Sequence, residues 1–539
     1  MLTIEQSIGK WLAELGITHI YGIGAVPMHD TFRHCAKAGL NLIGTHEQRA
    51  AVLMAASHNY FAGKQIACAI VSMGPSVTNS ITGAFAVLGN QWPVMIISNS
   101  PAQDQYFPGM FQAYDAIPAM ESVTRHAVRI ADTQSCYKCL AEAYNAANRT
   151  PRGPAYIDIP TPLLTQPVHS PAKPANNFYS DESVHNDCAA AVEALTSARR
   201  PLLLLGQNIR WNNDYKLIQK LIDTYDIPFA TVSMARGFIS ENHPLCVTRN
   251  ATLAQAESDV VIVIGGALDW KYRFGVAINP DAAIFQLSED PSSPSLDRKT
   301  TTIGLSVAAL LSALNHGLLS NYTPVRDLVW MQSLNAGHKL ALKQILDRHA
   351  HLSGPISSYA IAIAAARVAR PDTLFILDAN TTMRAADLCL EPKIPLTHIT
   401  AGHTGLMGGG IPFGIAALTE NNKRPVIVIC GDFALGQNAL ELETAARLNL
   451  PLIVLLANNN AGTEGIYEFP EYTSAFTKFS ENIAYEWISR AFGGLGDVID
   501  KAEDLPAAIN AAIKNAESSG KPFLLNIHVT ERLGMPPRL

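Results

Sequence analysis

The chain has few charged residues for its length and no long uncharged apolar run. Charged side chains make up 16% of 539 residues, and the formal net charge is −6. No basic run and no interleaving of basic with aromatic residues is present, which argues against a nucleic-acid partner. No apolar stretch reaches the length that crosses a bilayer, so no membrane partner is expected. The first residues lack the basic and apolar regions of a signal peptide, so a cytoplasmic location is the expectation.

Cysteine is also scarce. The eight cysteines stand in apolar sequence contexts, which suits a reducing compartment where Cys behaves as a small core residue. One C-x-x-C pair, Cys136 and Cys139, lies inside a stretch with helical periodicity, 133–149. A redox or zinc site would need a strand–helix setting or a second pair. We therefore predict that both cysteines are core residues.

Length and composition predict a large, well-buried α/β protein. A chain of 539 residues with 48% hydrophobic content is too long for one core and suggests three domains. Strand-like and helix-like stretches alternate throughout, which predicts three doubly wound domains with parallel sheets. We expect these domains at 1–165, 184–345 and 346–539. A linker rich in Pro, Asn and Ser, 166–183, separates the first two.

Short apolar runs predict the strands. They fall at 19–21, 40–44, 66–72, 94–98 and 155–159 in the first domain, at 201–205, 229–232, 260–264 and 283–287 in the second, and at 373–377, 424–430, 451–456 and 523–529 in the third.

The most informative stretch begins at the end of the run 424–430. A helical pattern at 438–448 and a second strand at 451–456 complete a strand–helix–strand unit. Its right-handed crossover places both strand ends at one sheet edge, which brings Asp432 and Asn459 side by side. Each offers a hard oxygen, as Mg²⁺ prefers. The alternative is an ordinary strand-end Asp followed by an Asn-rich loop.

This spacing resembles the cofactor signature of thiamine-diphosphate (ThDP) enzymes, Gly-Asp-Gly followed about two dozen residues later by Asn-Asn. Phe433 stands where the signature has its second Gly. The resemblance implies that Gly431, Asp432, Phe433 and Asn459 bind the cofactor. It also implies that the Asp432 and Asn459 side chains and the Ala461 carbonyl ligate the metal.

A second match lies far upstream, in His46-Glu47-Gln48 between a predicted strand and a predicted helix, 49–61. It resembles the family's catalytic glutamate, whose carboxyl group hydrogen-bonds the aminopyrimidine ring of the cofactor. Such a carboxyl is expected to be buried in an apolar site, which raises its pKa. The alternative for Glu47 is a helix-start residue that complements the helix dipole.

A third match is the glycine-rich segment 400–410, which resembles the family loop that holds the cofactor bent. Met407 falls where an apolar side chain lies between the two rings, and the Gly405 carbonyl falls where the exocyclic amino group is received. Asn380 and Thr381 resemble a turn that contacts the diphosphate. The alternatives are a glycine-rich turn before a helix and a plain turn with helix-capping residues.

Further segments resemble 2-hydroxyacyl-CoA lyases and oxalyl-CoA decarboxylases along nearly the whole chain. They are 90–93, 233–237, 265–270 and 441–444. Phe111-Gln112 instead resembles acetolactate synthases and hydroxyacyl-CoA lyases, and it implies that Gln112 faces the reacting centre. The alternative for Gln112 is a polar loop residue.

Departures from the CoA-binding branch narrow the expected substrate. Ala267, Ser288 and Pro151 stand where that branch has residues that bind ADP, so little specific affinity for an adenine nucleotide is expected. We therefore favour a free 2-oxo acid or a small acyl donor as the substrate. His403 replaces a residue that is usually Thr in the relatives. It is either a substrate-specific acid or base or a capping or core histidine.

The resemblance implies a ThDP- and Mg²⁺-dependent enzyme that cleaves or forms a carbon–carbon bond next to a carbonyl. Decarboxylation of a 2-oxo acid, with or without acyl transfer, is favoured, and the reaction resembles that of acetolactate synthase. The alternatives are a 2-hydroxyacyl-CoA lyase, an oxalyl-CoA-decarboxylase-like enzyme, a flavin oxidase of the pyruvate-oxidase type, and a catalytically silent binding protein. In this family the cofactor lies between two subunits, so a homodimer or homotetramer is expected.

Overall fold

The computed structural model describes residues 2–102, 109–168, 188–287, 300–303, 306–317, 325–349, 354–379, 381–421, 423–462 and 477–529. The chain divides into two compact units. The first unit comprises Met1–Tyr179, Ser353–Ala385 and Thr400–Leu539, and the second comprises Ser180–Leu352 and Ala386–Ile399. No helix in the described part of the chain is long and apolar enough to cross a lipid bilayer.

The N-terminal sheet has six described strands in the order β2-β1-β3-β4-β6-β5. Its strands are β1 His19–Gly22, β2 Asn41–Gly44, β3 Ala67–Ile70, β4 Val94–Ser100, β5 His126–Arg129 and β6 Pro154–Pro160. Its helices are α1 Ile4–Glu14, α2 His29–Lys37, α3 Gln48–Ala62, α4 Pro75–Asn90, α5 Ile117–Glu121, α6 Cys136–Asn148 and α7 Thr161–Leu164. The helix α3 is buried along almost its whole length.

The central sheet has five described strands in the order β11-β10-β9-β7-β8. Its elements are α8 Cys188–Ser197, β7 Pro201–Leu205, α9 Asp214–Tyr225, β8 Phe229–Thr231, α10 Ala251–Glu257, β9 Val260–Ile264, β10 Ala283–Leu287, β11 Thr300–Ile303, α11 Val307–Gly317 and α12 Leu328–His349. Alternate residues of β7 and β9 enter two different core clusters, because successive side chains of a strand point to opposite faces. Both faces of this sheet are therefore covered.

The C-terminal sheet has six described strands in the order β13-β12-β14-β15-β17-β16. Its elements are α13 Ser358–Val368, β12 Leu374–Leu377, α14 Thr381–Cys389, β13 His398–Thr400, α15 Gly410–Glu420, β14 Val426–Gly431, α16 Asp432–Asn438, α17 Glu441–Arg447, β15 Leu452–Asn458, α18 Glu486–Ala491, β16 Leu495–Ile499, α19 Leu505–Ser519 and β17 Phe523–His528. The strands β12, β14 and β15 are buried at every position except the last residue of β14.

The predicted fold class is confirmed, since the described strand pairs of all three sheets are parallel. Four strands were not predicted: β5, β11, β13 and β16. The helix predicted at 438–448 is confirmed as α17, Glu441–Arg447, and a separate short helix that was not predicted, α16, precedes it. The predicted domain boundaries stay predictions, and most of the linker 166–183 lies outside the described residues.

The C-x-x-C pair lies on α6, as predicted. Cys136 and Cys139 are both buried and form no disulfide. Burial raises the pKa of both thiols, which disfavours the reactive thiolate. Both are therefore suited to core packing.

Candidate cofactor site

Three strands of the C-terminal sheet end side by side at its carboxyl edge. The register pairs Leu377 of β12 with Ile429 of β14, and Gly431 of β14 with Ala457 of β15. The residues that follow these strands therefore share one edge, where open α/β sheets bind their ligands.

Asp432 and Asn459 meet at this edge through a shared donor. The backbone N–H of Ala461 donates to Oδ2 of Asp432 over 3.0 Å and to Oδ1 of Asn459 over 3.2 Å. Oδ1 of Asp432 accepts from the N–H of Phe433 at 2.8 Å. Asp432 is only 2% exposed. Two side-chain oxygens from different strand ends thus converge on one backbone position.

The bridge pattern of Ala461 indicates which way its carbonyl points. Ala461 forms an isolated antiparallel bridge with Lys478. The hydrogen bonds of this bridge belong to flanking residues, Gly462 N–H to Thr477 O at 2.8 Å and Phe479 N–H to Asn460 O at 2.7 Å. In such a bridge the N–H and C=O of the central residue point away from the partner strand. The N–H of Ala461 meets Asp432, so its carbonyl lies on the Asp432 side as well.

This donor set fits a hard cation. Burial raises the pKa of Asp432 to about 6, and a cation beside the carboxylate would favour its charged form. In the described part of the chain, no group of three or more His, Cys, Asp or Glu side chains offers a metal site. One carboxylate, one amide oxygen and one carbonyl match Mg²⁺, which keeps several ligands for water and phosphate.

The predicted diphosphate turn lies next to this group. Thr381 begins α14, and Asn380 lies outside the described residues. A Cβ atom placed on Gly431 would lie 3.8 Å from Oγ1 of Thr382. The hydroxyl of Thr381 is buried and has no hydrogen-bond partner among the described residues. A buried hydroxyl without a partner at a helix N-terminus fits an anionic group such as a phosphate.

The loop that contains Met407 is held by Asp378, whose role the sequence analysis did not identify. The Asp378 carboxylate accepts the N–H of Gly408 at 3.0 Å and that of Gly410 at 2.9 Å. Nδ2 of Asn438 donates to the carbonyl of Gly408 at 2.6 Å. Gly408 has a φ of +81°, a conformation that favours glycine. The half-buried Met407 therefore precedes an anchored backbone turn.

The start of the same loop is held by α4. The N–H of His403 donates to Oδ1 of Asn90 at 2.9 Å. A Cβ on Gly89 would lie 3.4 Å from Cβ of His403, so the backbones approach closely here. Gly405 is exposed, with a φ of +63°. These contacts fix the backbone of His403 and leave both of its predicted roles open.

Glu47 occupies the N-cap of α3. Its carboxylate accepts the N–H of Ala50 at 3.1 Å and lies 3.3 Å from Nε of Arg49. The side chain is 32% exposed. The predicted burial of this carboxyl in an apolar site is therefore wrong for the single chain, because the start of α3 lies at its surface. Glu47 does cap the N-terminus of α3, as the alternative interpretation expects.

Gln112 lies on the same side of the N-terminal sheet. It has a φ of +56°, and its Cβ would be 2.9 Å from a Cβ on Gly74, which precedes α4. Nε2 of Gln48 donates to Oγ of Ser76 in the first turn of α4 at 3.1 Å. Gln112 and Gln48, the residue after Glu47, therefore both border the start of α4. The described side-chain contacts of Glu47 and Gln112 do not include the group formed by Asp432, Asn459 and Ala461.

Three family models match the chain in sequence order. They are the thiamine pyrophosphate enzyme N-terminal TPP binding domain at residues 2–119, the central domain at 188–314, and the C-terminal TPP binding domain at 379–527.

Curated relatives match over nearly the whole chain. A 2-hydroxyacyl-CoA lyase of Arabidopsis thaliana is 26% identical over 96% of this chain and 94% of its own length. An oxalyl-CoA decarboxylase of Escherichia coli strain K12 is 25% identical over 97% of this chain and 94% of its own length. A probable acetolactate synthase of Mycobacterium bovis is 24% identical over 98% of this chain and 96% of its own length. The chain belongs to the thiamine-diphosphate-dependent enzymes, with thiamine diphosphate as its cofactor.

Proposed function

We propose that the protein is a Mg²⁺-dependent ThDP enzyme that cleaves or forms a carbon–carbon bond next to a carbonyl. The favoured reaction is decarboxylation of a 2-oxo acid, with or without transfer of the acyl group. The observation that carries the proposal is that side-chain oxygens of Asp432 and Asn459 meet at the backbone N–H of Ala461, at the carboxyl edge of the sheet.

Each part of the cofactor has residues suited to hold it. Asp432, Asn459 and the Ala461 carbonyl would ligate the metal, and Thr381 would contact the diphosphate. Met407 would lie against the rings from its anchored loop. When bound, ThDP supplies a carbon nucleophile and takes up the electron pair released from the breaking bond. The protein contributes binding, orientation and electrostatics.

Glu47 is proposed as the acid–base residue. Its carboxyl would hold a proton against a ring nitrogen of the aminopyrimidine and so favour the ring tautomer that can accept a proton. A group in this role works best in a dry site, where its pKa is raised. In one chain Glu47 is 32% exposed, so another surface must cover it.

We propose that a second copy of the chain provides that surface. Large apolar side chains are exposed on α4 and next to Gln112. Phe85 of α4 is 54% exposed, and Phe111 is 78% exposed. Leu440, between α16 and α17, is 57% exposed. In the proposed assembly the second copy would cover these side chains. The protein would thus be a homodimer or homotetramer in which Glu47 of one copy meets Asp432 of another.

The substrate is proposed to be a free 2-oxo acid, because the central sheet offers little for a CoA nucleotide. Ala267 lies after β9, where the CoA-binding branch has an Arg. A nearby basic group, Nζ of Lys271, lies 3.9 Å from Asp269 and 3.4 Å from Oε1 of Gln207. Its charge is thus partly balanced within the chain. The buried, unpaired cysteines suit a reducing compartment such as the cytoplasm.

The second candidate function is cleavage of a 2-hydroxyacyl-CoA or decarboxylation of oxalyl-CoA. It is favoured by the relatives with those names, which match over nearly the whole chain. The lack of charged nucleotide-binding residues at Ala267 and Pro151 argues against it.

One experiment separates these candidates. The protein loaded with ThDP and Mg²⁺ is incubated with a panel of 2-oxo acids and of 2-hydroxyacyl-CoA and oxalyl-CoA thioesters, and the products are identified by mass spectrometry. Release of CO₂ from a 2-oxo acid is the expected result. Cleavage of thioesters alone would select the second candidate. Cofactor binding without any turnover would indicate a silent binding protein, and a colourless purified protein excludes a flavin oxidase.

A further inference from the structure

A buried carboxylate on helix α17 holds the backbone that carries Glu47. We call residues 44–47 the Glu47 turn. The side chain of Glu441, at the start of α17, accepts a hydrogen bond from the backbone N–H of His46 at 2.9 Å and another from that of Glu47. The hydroxyl of Thr444 donates to the same carboxylate at 2.7 Å. Glu441 is 1% exposed, so its charge depends on these donors.

Two further contacts connect α17 with the Glu47 turn. Nε2 of His46 lies 2.9 Å from Oε2 of Glu443. Nη2 of Arg447 donates to the carbonyl of Gly44 at 2.7 Å. Arg447 is itself paired with Glu443, with 3.1 Å between Nε and Oε1. One helix therefore contacts the backbone on both sides of His46.

These contacts favour one backbone conformation just before α3. Hydrogen bonds from backbone N–H groups to a buried carboxylate are strong, and they fix the direction of both N–H bonds. Glu47 has φ −148° and ψ 145°, and its side chain leaves the backbone at that N-cap position. A shift in the peptide plane between His46 and Glu47 would therefore move the Glu47 carboxyl group.

We propose that Glu441 is a positioning residue for Glu47. This inference rests on the proposed acid–base role of Glu47. Glu441 lies between Asp432 and Asn459 in the chain, so the metal-binding part of one copy would set the geometry of that copy's own Glu47. In the proposed dimer this Glu47 serves the other cofactor site.

The variant Glu441→Gln tests the inference in the full-length protein. The change keeps the size of the side chain but removes the negative charge that strengthens the hydrogen bonds from the two backbone N–H groups. Hydrogen–deuterium exchange mass spectrometry is performed without and with ThDP and Mg²⁺. Peptides that cover 44–50 should exchange at least about ten times faster in the variant than in the wild type. The control is Glu420→Gln, which removes the charge of the carboxylate that lies 2.9 Å from Nε2 of His58, farther along α3. It should leave exchange at 44–50 unchanged.

A double-mutant cycle distinguishes positioning from general structural damage. Glu441→Gln should lower kcat about tenfold or more, with ThDP affinity and substrate KM unchanged. In the Glu47→Gln background it should cause no further loss, because its effect passes through Glu47. Equal losses in both backgrounds would overturn the inference, as would unchanged exchange at 44–50. If Glu47→Gln alone left kcat unchanged, the proposed function would fail, while the exchange data would still report on the contact itself.

If Glu441→Gln does not fold, Thr444→Val provides the test. It removes the 2.7 Å hydrogen bond to the Glu441 carboxylate, together with a long 3.4 Å bond from Nη2 of Arg447, and keeps the shape of the side chain. Faster exchange at 44–50 with a reduced kcat supports the inference. Unchanged exchange or unchanged kcat in this variant contradicts it.

Discussion

The backbone N–H of Ala461 lies 3.0 Å from Oδ2 of Asp432, although Ala461 follows β15 and Asp432 follows β14. This contact brings the two halves of the metal motif together. In the proposed metal site, all three oxygens would come from one strand–helix–strand unit.

Replacing Asp432 with Ala should abolish Mg²⁺-dependent binding of ThDP, because the site loses its only proposed carboxylate ligand. Isothermal titration calorimetry of the apo-protein with ThDP and Mg²⁺ measures this. The control is Asp372→Ala, an exposed acid of the same sheet region with 53% of its side chain accessible. Normal ThDP affinity in Asp432→Ala would remove the metal assignment.

Mixing two inactive variants should restore activity if the site is shared between copies. A dimer of one Glu47→Gln chain and one Asp432→Ala chain contains one site with both wild-type residues. Random exchange of subunits should therefore recover about a quarter of wild-type activity, since half of the dimers are mixed and each has one intact site. The measurement is turnover after the two proteins are unfolded and refolded together. No recovery, with mixed dimers demonstrated by mass spectrometry, would place both residues in a site within one chain.

The strands that the sequence predicted are those with continuous apolar runs. The runs 201–205, 260–264 and 283–287 match β7, β9 and β10 residue for residue. The four strands that were not predicted all lie at sheet edges, where one side lacks a neighbouring strand. The strands β5, β11 and β16 are largely half-buried or exposed, and β13 has only three residues. Edge strands do not need an apolar run, so periodicity alone did not reveal them.

The site residues that could be predicted from the sequence are those that belong to a local motif. The local motif indicated Asp432 and Asn459, because both residues follow strands of a single unit. The contacts of Asp378 and Glu441 depend on how distant segments pack. Asp378 binds glycines some thirty residues away, and Glu441 binds a turn nearly four hundred residues away. The acid at the end of β12, ahead of a run of three glycines, was the available signal for Asp378.

Removal of Arg236 should strongly destabilise the second unit. Its guanidinium is buried, with Nε 2.6 Å from Glu241 and Nη1 2.7 Å from Asp387. Arg236→Met would leave a buried carboxylate without this partner, which typically costs about 3–5 kcal/mol. Differential scanning calorimetry should show a lower unfolding temperature. The control Arg370→Met removes exposed ion pairs and should cost about 1 kcal/mol or less. Equal effects would contradict this assignment.

Stability should fall with acidification over a window that His338 helps to set. Burial, followed by the charge of Arg249, lowers the pKa of His338 from 6.5 to about 4. The unfolded chain therefore binds a proton at a higher pH than the folded chain does. The contribution of His338 to the free energy of unfolding is fully present above the pKa that this residue has in the unfolded chain. It is lost as the pH falls from about 6.5 towards 4.

The variant His338→Gln should therefore show a smaller drop in unfolding temperature between pH 7 and pH 4.5 than the wild type. The difference between the two proteins at pH 8 serves as the baseline, because His338 is neutral in both states there. Parallel pH profiles for the two proteins would show that His338 makes no contribution.

The central claim is that Glu47 activates the bound cofactor, and one exchange measurement tests it most directly. Deuterium exchange of the ThDP thiazolium proton is followed by rapid acid quench and NMR, in the wild type and in Glu47→Gln. Exchange should slow by about 10²- to 10⁴-fold with ThDP affinity retained, as expected for loss of acid–base help. The control Ser357→Ala removes the N-cap of α13, and it should cost about 1 kcal/mol of stability without slowing exchange. Exchange as fast in Glu47→Gln as in the wild type would make Glu47 a capping residue and contradict the account.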